Sequence, residues 1–310
     1  LQARWGYATN IHSWELLNEG DPRNSLHYTL ADEFGKYMRQ FNPNHHMVSS
    51  SFWHSFPKEN FWVNPDYQNV DFADVHRYIG EDAPNFTDAS QATHDISKQY
   101  GAKEPGGAGK PVIRGETGFV ASGGGPVTEF RNDTDGVWLH NFIWGGINAG
   151  GLIESYWYEN KHIYHQNRDG SYNFDHRPHF GAYFNFIKDI PLNNGYYQDA
   201  EADVSSDELR VWGQKDLVSG NAHLWIQNKN HIWHNSVSDS TIPSVSGTMT
   251  LVGFRPGQGY TLERWDPYES GITKQIIGTE TILAGSDGSI SIKVDNLAED
   301  VAVKLGLVNP

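Results

Sequence analysis

An α/β region built on a parallel sheet, followed by an all-β antiparallel sandwich, is the fold class that the sequence predicts. Up to about residue 190, short β-favouring runs alternate with longer amphipathic ones, and strand, helix, strand in repetition implies a parallel sheet. After Pro191 the texture changes to short strands separated by Gly, Asp, Asn and Pro, with no helical stretch between them, which is the pattern of a sandwich. The 310 residues, 37% of them hydrophobic, exceed a typical single domain and can build a sizeable core. The predicted domains are 1–192 and 193–310, with the boundary at Leu192–Gly195.

In order along the chain, strands are read at His12–Asn18, His46–Ser50, Phe72–His76, Pro111–Glu116 and Gly151–Trp157. Helices are expected between and after them at Leu30–Gln40, Ala89–Tyr100, Thr134–Ala149 and His179–Ile190. In the second domain the strands are "LRVWGQ", "AHLWIQN", "GTMTLVGF", "GYTLERWD", "TKQIIG", "SISIKV" and "VAVKLGL". Sugar binding and bracing of the first domain both fit this one, and bracing is the favoured expectation. No internal repeat or low-complexity segment interrupts the pattern.

The formal charge of −15 repels polyanions, so nucleic acid and anionic membrane surfaces are excluded as partners. No run of about 18 apolar residues is present to span a bilayer. The absence of cysteine rules out disulfides, thiolate catalysis and cysteine-ligated zinc, and it fits a secreted and a cytoplasmic protein alike. Behind Leu1 there is no charged-then-apolar leader, as expected of a processed product or a fragment. Aromatic residues make up 13%, with 11 Trp; rings stack on the C–H faces of sugars, although core packing is the default use of Trp.

"HSWELLNEG", residues 12–20, places two carboxylates, Glu15 and Glu19, on a stretch that otherwise reads as a buried strand. A buried ionised carboxylate is costly unless it is paired, displaced to the strand's end, or used. Each of the five early strands ends in polar or aromatic residues: Asn18-Glu19, Ser50-Ser51, His76-Arg77-Tyr78, Glu116-Thr117 and Tyr156-Trp157. In a β/α barrel the carboxyl ends of parallel strands gather on one face, where active sites form. Glu19 and Glu116 are the candidate catalytic pair, because cleaving a glycosidic bond needs one carboxyl to protonate the leaving oxygen and another to attack or stabilise the anomeric carbon. In the retaining version the two stand roughly 5 Å apart. Around them, Asn18 is the candidate for a sugar 2-hydroxyl, His76 for another hydroxyl, Tyr78 for holding Glu116, and Trp157 for the floor beneath the sugar. Glu15, Asp74 and Arg114 are expected to form a structural ion-pair network, placed by the strands' period of two.

These residues resemble the signature of clan A glycoside hydrolases. "WELLNE" resembles their fourth strand, whose Asn-Glu pair holds the acid/base, and "VIRGETG" their seventh, whose Glu is the nucleophile. "DVHRY" is similar to the His-x-Tyr of the sixth strand, most like glycoside hydrolase family 5, and "ESYW" to the aromatic of the eighth. The tail from "LRVWGQKD" to "YTLERWD" is similar to β-domains that follow such barrels in bacterial cellulase-like proteins. The resemblance implies Glu19 as acid/base, Glu116 as nucleophile, and Asn18, His76, Tyr78 and Trp157 as the sugar-binding shell of a retaining enzyme on β-linked glucan, mannan or shorter glycosides. It implies no cofactor.

Family barrels carry three strand–helix units before the Asn-Glu strand, and only about a dozen residues precede it here. A complete barrel runs to about 250 residues. The expected fold is therefore a partial (β/α) TIM-type barrel, equivalent to strands four to eight, followed by the sandwich. Its open edges invite pairing with another chain, so the expected partner besides carbohydrate is a second copy, as a homo-oligomer, or a complementary barrel fragment. The alternative is a carbohydrate-binding or structural protein derived from such an enzyme that no longer hydrolyses.

Other motifs fall short of a function. The histidine pairs His45-His46, His162 with His165, and His176 with His179 lack a third ligand at a zinc spacing. "GGAGKP" has neither the P-loop's first glycine nor its Ser or Thr after Lys. "SGGG", residues 122–125, reads as a mobile loop beside Glu116, and Tyr156 to Phe180 as a loop over the sugar cleft. Asn85-Phe86-Thr87 and Asn132-Asp133-Thr134 fit the glycosylation sequon, which matters only in a secretory host.

Overall fold

The computed structural model of the protein describes residues 2–42, 44–53, 56–101, 110–125, 127–148, 152–153, 163–169, 172–238 and 240–308. The chain divides into two compact units: Leu1–Phe86, His94–Pro126 and Ala149–Tyr158 form the first, and Thr87–Thr93, Val127–Asn148 and Glu159–Pro310 the second. This packing division does not coincide with the change of texture at residue 192.

The first unit opens with a short helix, α1 (Gln2–Trp5), and a three-residue strand, β1 (Ser13–Glu15). Helix α2 (Ser25–Phe41) follows, started by Asn24, whose side chain accepts the Leu26 N–H at 3.0 Å and so satisfies one of the helix's open donors. Its Asp32 is buried, with Oδ1 accepting both N–H groups offered by Asn69 at 2.9 Å and Oδ2 paired with Lys36 at 3.0 Å. Strands β2 (Met47–Ser49), β3 (Ser51–Phe52), β4 (Ala73–Gly80) and, after helix α3 (Ala89–Gly101), whose first five residues belong to the second unit, β5 (Val112–Val120) follow.

Every strand pair in this region is parallel. β1 pairs with β2 and β3 with β4, β4 with β5, and β5 with Leu152–Ile153. Sequence order is thus spatial order, as strand–helix repetition predicts. β1 stops at Glu15, three residues short of the expected Asn18, and β2 is one residue shorter at each end than expected, whereas two strands run on past their expected ends. β4 and β5 each continue four residues past His76 and Glu116, because the ladder extends through Ile79 opposite Phe119, both buried. His76, Tyr78 and Glu116 therefore lie within the sheet, where strand ends were expected.

In the second unit come helix α4 (Val137–Trp144), the strand β6 (Leu152–Ile153, belonging to the first unit), the hairpin strands β7 (Tyr164–Gln166) and β8 (Tyr172–Asp175), and helix α5 (Pro178–Ile187). The stretch expected as a loop over the cleft thus contains, among its described residues, an antiparallel hairpin and a helix start. Then follow β9 (Gln198–Asp199), β10 (Asp203–Val204), β11 (Leu209–Asp216), β12 (Asn221–Asn228), α6 (Trp233–Val237), β13 (Val245–Leu251), β14 (Gly259–Trp265), α7 (Ile272–Gln275), β15 (Ile276–Leu283), β16 (Ile290–Leu297) and β17 (Asp300–Leu307). The two short helices correct the expectation of a helix-free tail, and "TKQ" closes α7 ahead of the strand.

A six-stranded antiparallel sheet, ordered β15-β14-β17-β12-β11-β9, faces a three-stranded one, β10-β13-β16. Leu224, Ile226, Leu262, Val303 and Leu305 from the first pack with Met249, Leu251, Ile290 and Ile292 from the second in one core. Each such side chain contributes roughly 1.5–3 kcal/mol on burial. The alternate residues of the larger sheet point the other way. There Trp225 meets Trp144 of α4 at 6.3 Å between ring centroids, and Trp265 meets Phe186 of α5 at 5.6 Å. All eight residues of α4 are buried; six of them are apolar, and the two polar ones, His140 and Asn141, are hydrogen-bonded to Asp300 and to the His231 carbonyl.

Candidate active site

The first unit gathers Glu19, His76, Tyr78 and Glu116, and two local irregularities do it. After β1 the backbone turns out of the ladder. Leu17 O still accepts from Ser51 N at 3.0 Å and Gly20 N donates to Ser51 O at 2.9 Å, so Asn18 and Glu19 form the excess between them. Glu19 takes a left-handed φ of 59°, a conformation that costs a non-glycine residue free energy and here is fixed by its N–H donating to Ser51 Oγ at 3.0 Å. The same Ser51 hydroxyl donates to Glu15 Oε1. Glu19 is thus a held turn residue at the end of β1.

The second irregularity is a bulge in β5. Asp74 pairs with Ile113, but His76 pairs with Glu116, so β5 has one residue more than β4 between these rungs. Gly115 fits the kink because its amide donates to Asp74 Oδ1 at 3.0 Å, and a Cβ there would lie 2.2 Å from that oxygen. The bulge sets Glu116 directly across from His76.

His76 is the hub. It is buried, with Nδ1 3.2 Å from Glu19 Oε1 and 3.8 Å from Glu116 Oε1, and Nε2 3.7 Å from Asp74 Oδ1. Tyr78 donates its hydroxyl to Glu116 Oε2 at 3.0 Å. One oxygen each of Glu19 and Glu116 and a ring nitrogen of His76 lie within 4.8 Å of one another. Both carboxylates are solvent-accessible, 39% for the side chain of Glu19 and 31% for that of Glu116, so a substrate can reach them.

Asn18 is exposed beside Glu19 and makes no side-chain hydrogen bond among the described residues. Trp157, the expected floor, lies outside the described residues. Of the expected network, Arg114 is fully buried, whereas Glu15 is exposed and joins Asp74 and His76, with donor atoms within 4.8 Å of one another. Donor sets that could hold a cation are therefore Glu15-Asp74-His76 and Glu19-His76-Glu116. The sequence shows Ser51 as part of the polar strand end Ser50-Ser51 but not as the anchor of Glu19.

The glycine turn expected to be mobile is tied down: Ser122 donates through N and Oγ to Glu81 Oε2 at 3.0 and 2.7 Å, and Ala121 N donates to Gly125 O at 2.8 Å. The two Ser122 bonds lower the Glu81 pKa.

No protein-family model matches the chain, and no curated protein matches it. Among solved structures it is similar to a glucosidase from Croceicoccus marinus at 10% identity, covering 96% of this chain and 69% of that one with a TM-score of 0.43. It is similar to the GH39 enzyme from Xanthomonas axonopodis pv. citri at 14% identity, covering 99% and 71%, TM-score 0.45. A third is CelM2, a bifunctional glucanase-xylanase from a metagenome library, at 10% identity, covering 90% of this chain but 59% of that one, TM-score 0.41. Each is a likeness of chain path; the functional reading is carried by the side chains around His76.

Proposed function

We propose that the protein is a retaining glycoside hydrolase acting on β-linked glycosides or polysaccharides of glucan or mannan type. Glu116 attacks the anomeric carbon as Glu19 gives its proton to the leaving oxygen; water, deprotonated by Glu19, then releases the sugar from Glu116. The observation that carries this reading is the approach of Glu19 and Glu116 to within 4.8 Å, oxygen to oxygen, at Nδ1 of His76. Retaining enzymes hold their carboxyls about 5–5.5 Å apart, whereas inverting ones leave about 6.5–9.5 Å for a water. Tyr78 occupies Oε2 of Glu116 and so presents the other oxygen. Asn18, His76 and Trp157 complete the sugar-binding shell, and no cofactor takes part.

The parallel strands are part of a β/α barrel, equivalent to its strands four to eight. Among the described residues β1 pairs only with β2, and β6 only with β5, which supports completion by a second copy or a complementary fragment. The same open edges support the second reading, a protein that binds carbohydrate without cleaving it, because binding tolerates looser placement than catalysis. Glu116→Gln separates the two: it abolishes turnover of aryl β-glycosides if the first holds, with the fold intact by circular dichroism. Turnover unchanged in Glu116→Gln removes that residue from the mechanism.

A further inference from the structure

Away from the carboxylate cluster, the second unit contains a cavity of about 270 Å³. Its floor is the face of the six-stranded sheet opposite the sandwich core, since the floor residues alternate with Ala222, Leu224, Leu262 and Leu305 of that core. His223, Lys304 and Glu263 stand side by side on β12, β17 and β14, and Gly306 stands next to Thr261 one step along. Tyr197 and the segment 189–191 form the walls.

The chemistry of this lining specifies a ligand. Asn221, Thr261, Glu263 and Lys304 offer donors and acceptors within one small space, which suits neighbouring hydroxyl groups that each both donate and accept. Tyr197 supplies an aromatic wall, its ring 5.4 Å from that of His223, against which an apolar C–H face can pack. His223 is buried, and its Nδ1 has no partner among the described residues. Burial pushes its pKa down to about 3 against the opposing effect of the Ile147 backbone bond, so the ring is neutral and adds no charge to the lining. Asp189 and Glu263 against Lys304 leave one net negative charge, which disfavours anions. A Cβ on Gly306 would find nothing nearer than Asn221 Oδ1 at 3.6 Å, so the space above the floor is open. The volume sits just below the range of about 300–1,000 Å³ typical of larger organic ligands, and it fits one sugar ring better than a chain.

We infer that this cavity is a second carbohydrate site, which takes a single neutral pyranose unit, free or at a chain end, on the sandwich. The sandwich then does more than brace its neighbour, and the site does not depend on whether the first unit hydrolyses anything.

The test titrates the full chain with methyl β-glucopyranoside, methyl β-mannopyranoside and methyl β-galactopyranoside by calorimetry and saturation-transfer NMR. The wild type, Gly306→Leu, which adds a side chain at the floor where a Cβ meets nothing closer than 3.6 Å, and Tyr197→Ala, which removes the wall, are compared after near-ultraviolet circular dichroism confirms folding. The expected result is binding of at least one glycoside that weakens about tenfold or more in both variants, with hydrolysis at the first unit unaltered by them. Absence of binding by all three glycosides at tens of millimolar overturns the inference. So does binding that both variants retain, or a stronger response to inorganic phosphate that Gly306→Leu removes. Loss of hydrolysis with this binding intact counts against the glycosidase reading alone.

Discussion

Gly115→Ala places one methyl group at the point on which the carboxylate geometry turns. Its Cβ would lie 2.2 Å from Asp74 Oδ1, 2.9 Å from Cγ and 3.0 Å from Oδ2. Real Cβ atoms essentially never approach closer than 3.0 Å, so the 2.2 Å contact must open by at least 0.8 Å. Asp74 cannot yield freely, because its Oδ1 accepts the Gly115 N–H at 3.0 Å and stands 3.7 Å from His76 Nε2. The displacement therefore passes into the bulge and to the next residue, Glu116. Overpacking of this kind costs about 1–3 kcal/mol, and a misplacement of about 1 Å costs up to roughly a hundredfold in rate. The expected outcome is a fall of about 2 kcal/mol in urea-unfolding stability and a fall of about a hundredfold in kcat on an aryl β-glycoside, with KM changed far less. Asp74→Ala in the same chain removes the colliding atoms, so the double variant regains part of the stability lost by Gly115→Ala alone. Stability and kcat of Gly115→Ala within twofold of wild type would refute the role assigned to the bulge.

Tyr78→Phe deletes the hydrogen bond to Glu116 Oε2; kcat/KM should fall about ten- to a hundredfold while the urea midpoint stays put, and equal activity would discount Tyr78. In the second unit Arg210 forms a two-pronged pair with Asp88, at 2.6 and 3.0 Å, and also reaches Ser90 and Gln227. Burial raises the Asp88 pKa but the Arg210 contacts outweigh it and the net shift is down. Arg210→Met leaves that carboxylate without its cation and should cost about 3–5 kcal/mol in urea unfolding; a loss below about 1 kcal/mol would count against the pair. Burial lowers the pKa of His176 to about 4, and of His179 and His223 to about 3. Their folded values lie below the unfolded 6.5, so the stability they lend is whole above pH 6.5 and is lost as the pH falls toward 4 to 3. Asp133, raised by burial to about 6, acts oppositely, its contribution being lost as the pH rises from about 4 to 6, as do Glu299 and Asp300, which burial also raises; the five histidines that burial lowers, these three with His140 and His231, outnumber the three acids. Unfolding stability should therefore drop on acidification below pH 6.5. His179→Gln, which keeps a donor for the Asp135 carbonyl accepted now at 2.9 Å, should flatten the slope by up to about 1.4 kcal/mol per pH unit, and an unchanged slope would contradict the assignment.

Much of this fold can be read in the sequence because its signals are local. The seven tail strands alternate in a way that only a two-faced sheet requires, and the parallel order of the early strands follows from strand–helix repetition, which brings Glu19, His76 and Glu116 toward one another. The bulge at Gly115 was not legible: "RGE" reads as an ordinary strand, and the need for glycine appears only when Asp74 of the neighbouring strand is set against it. Nor does "LLNEG" reveal that Glu19 is left-handed, since the reason is the Ser51 hydroxyl 32 residues away. His140, buried 2.9 Å from Asp300 Oδ2 and stacked 3.7 Å from the Tyr268 ring, depends on partners more than a hundred residues distant. The membership of α4 in the second unit was not legible either: the sequence sets that helix within residues 1–192, because a mostly apolar helix shows that it needs cover and not which sheet supplies it.

The most direct test of the central claim is covalent trapping. The purified chain is incubated with 2-fluoro-β-glucoside and 2-fluoro-β-mannoside carrying good leaving groups, and intact mass and peptide mapping follow. The account predicts one added sugar per chain, on Glu116, absent in Glu116→Gln. A folded chain that hydrolyses β-glycosides without such a label, or carries it on another residue, would contradict it.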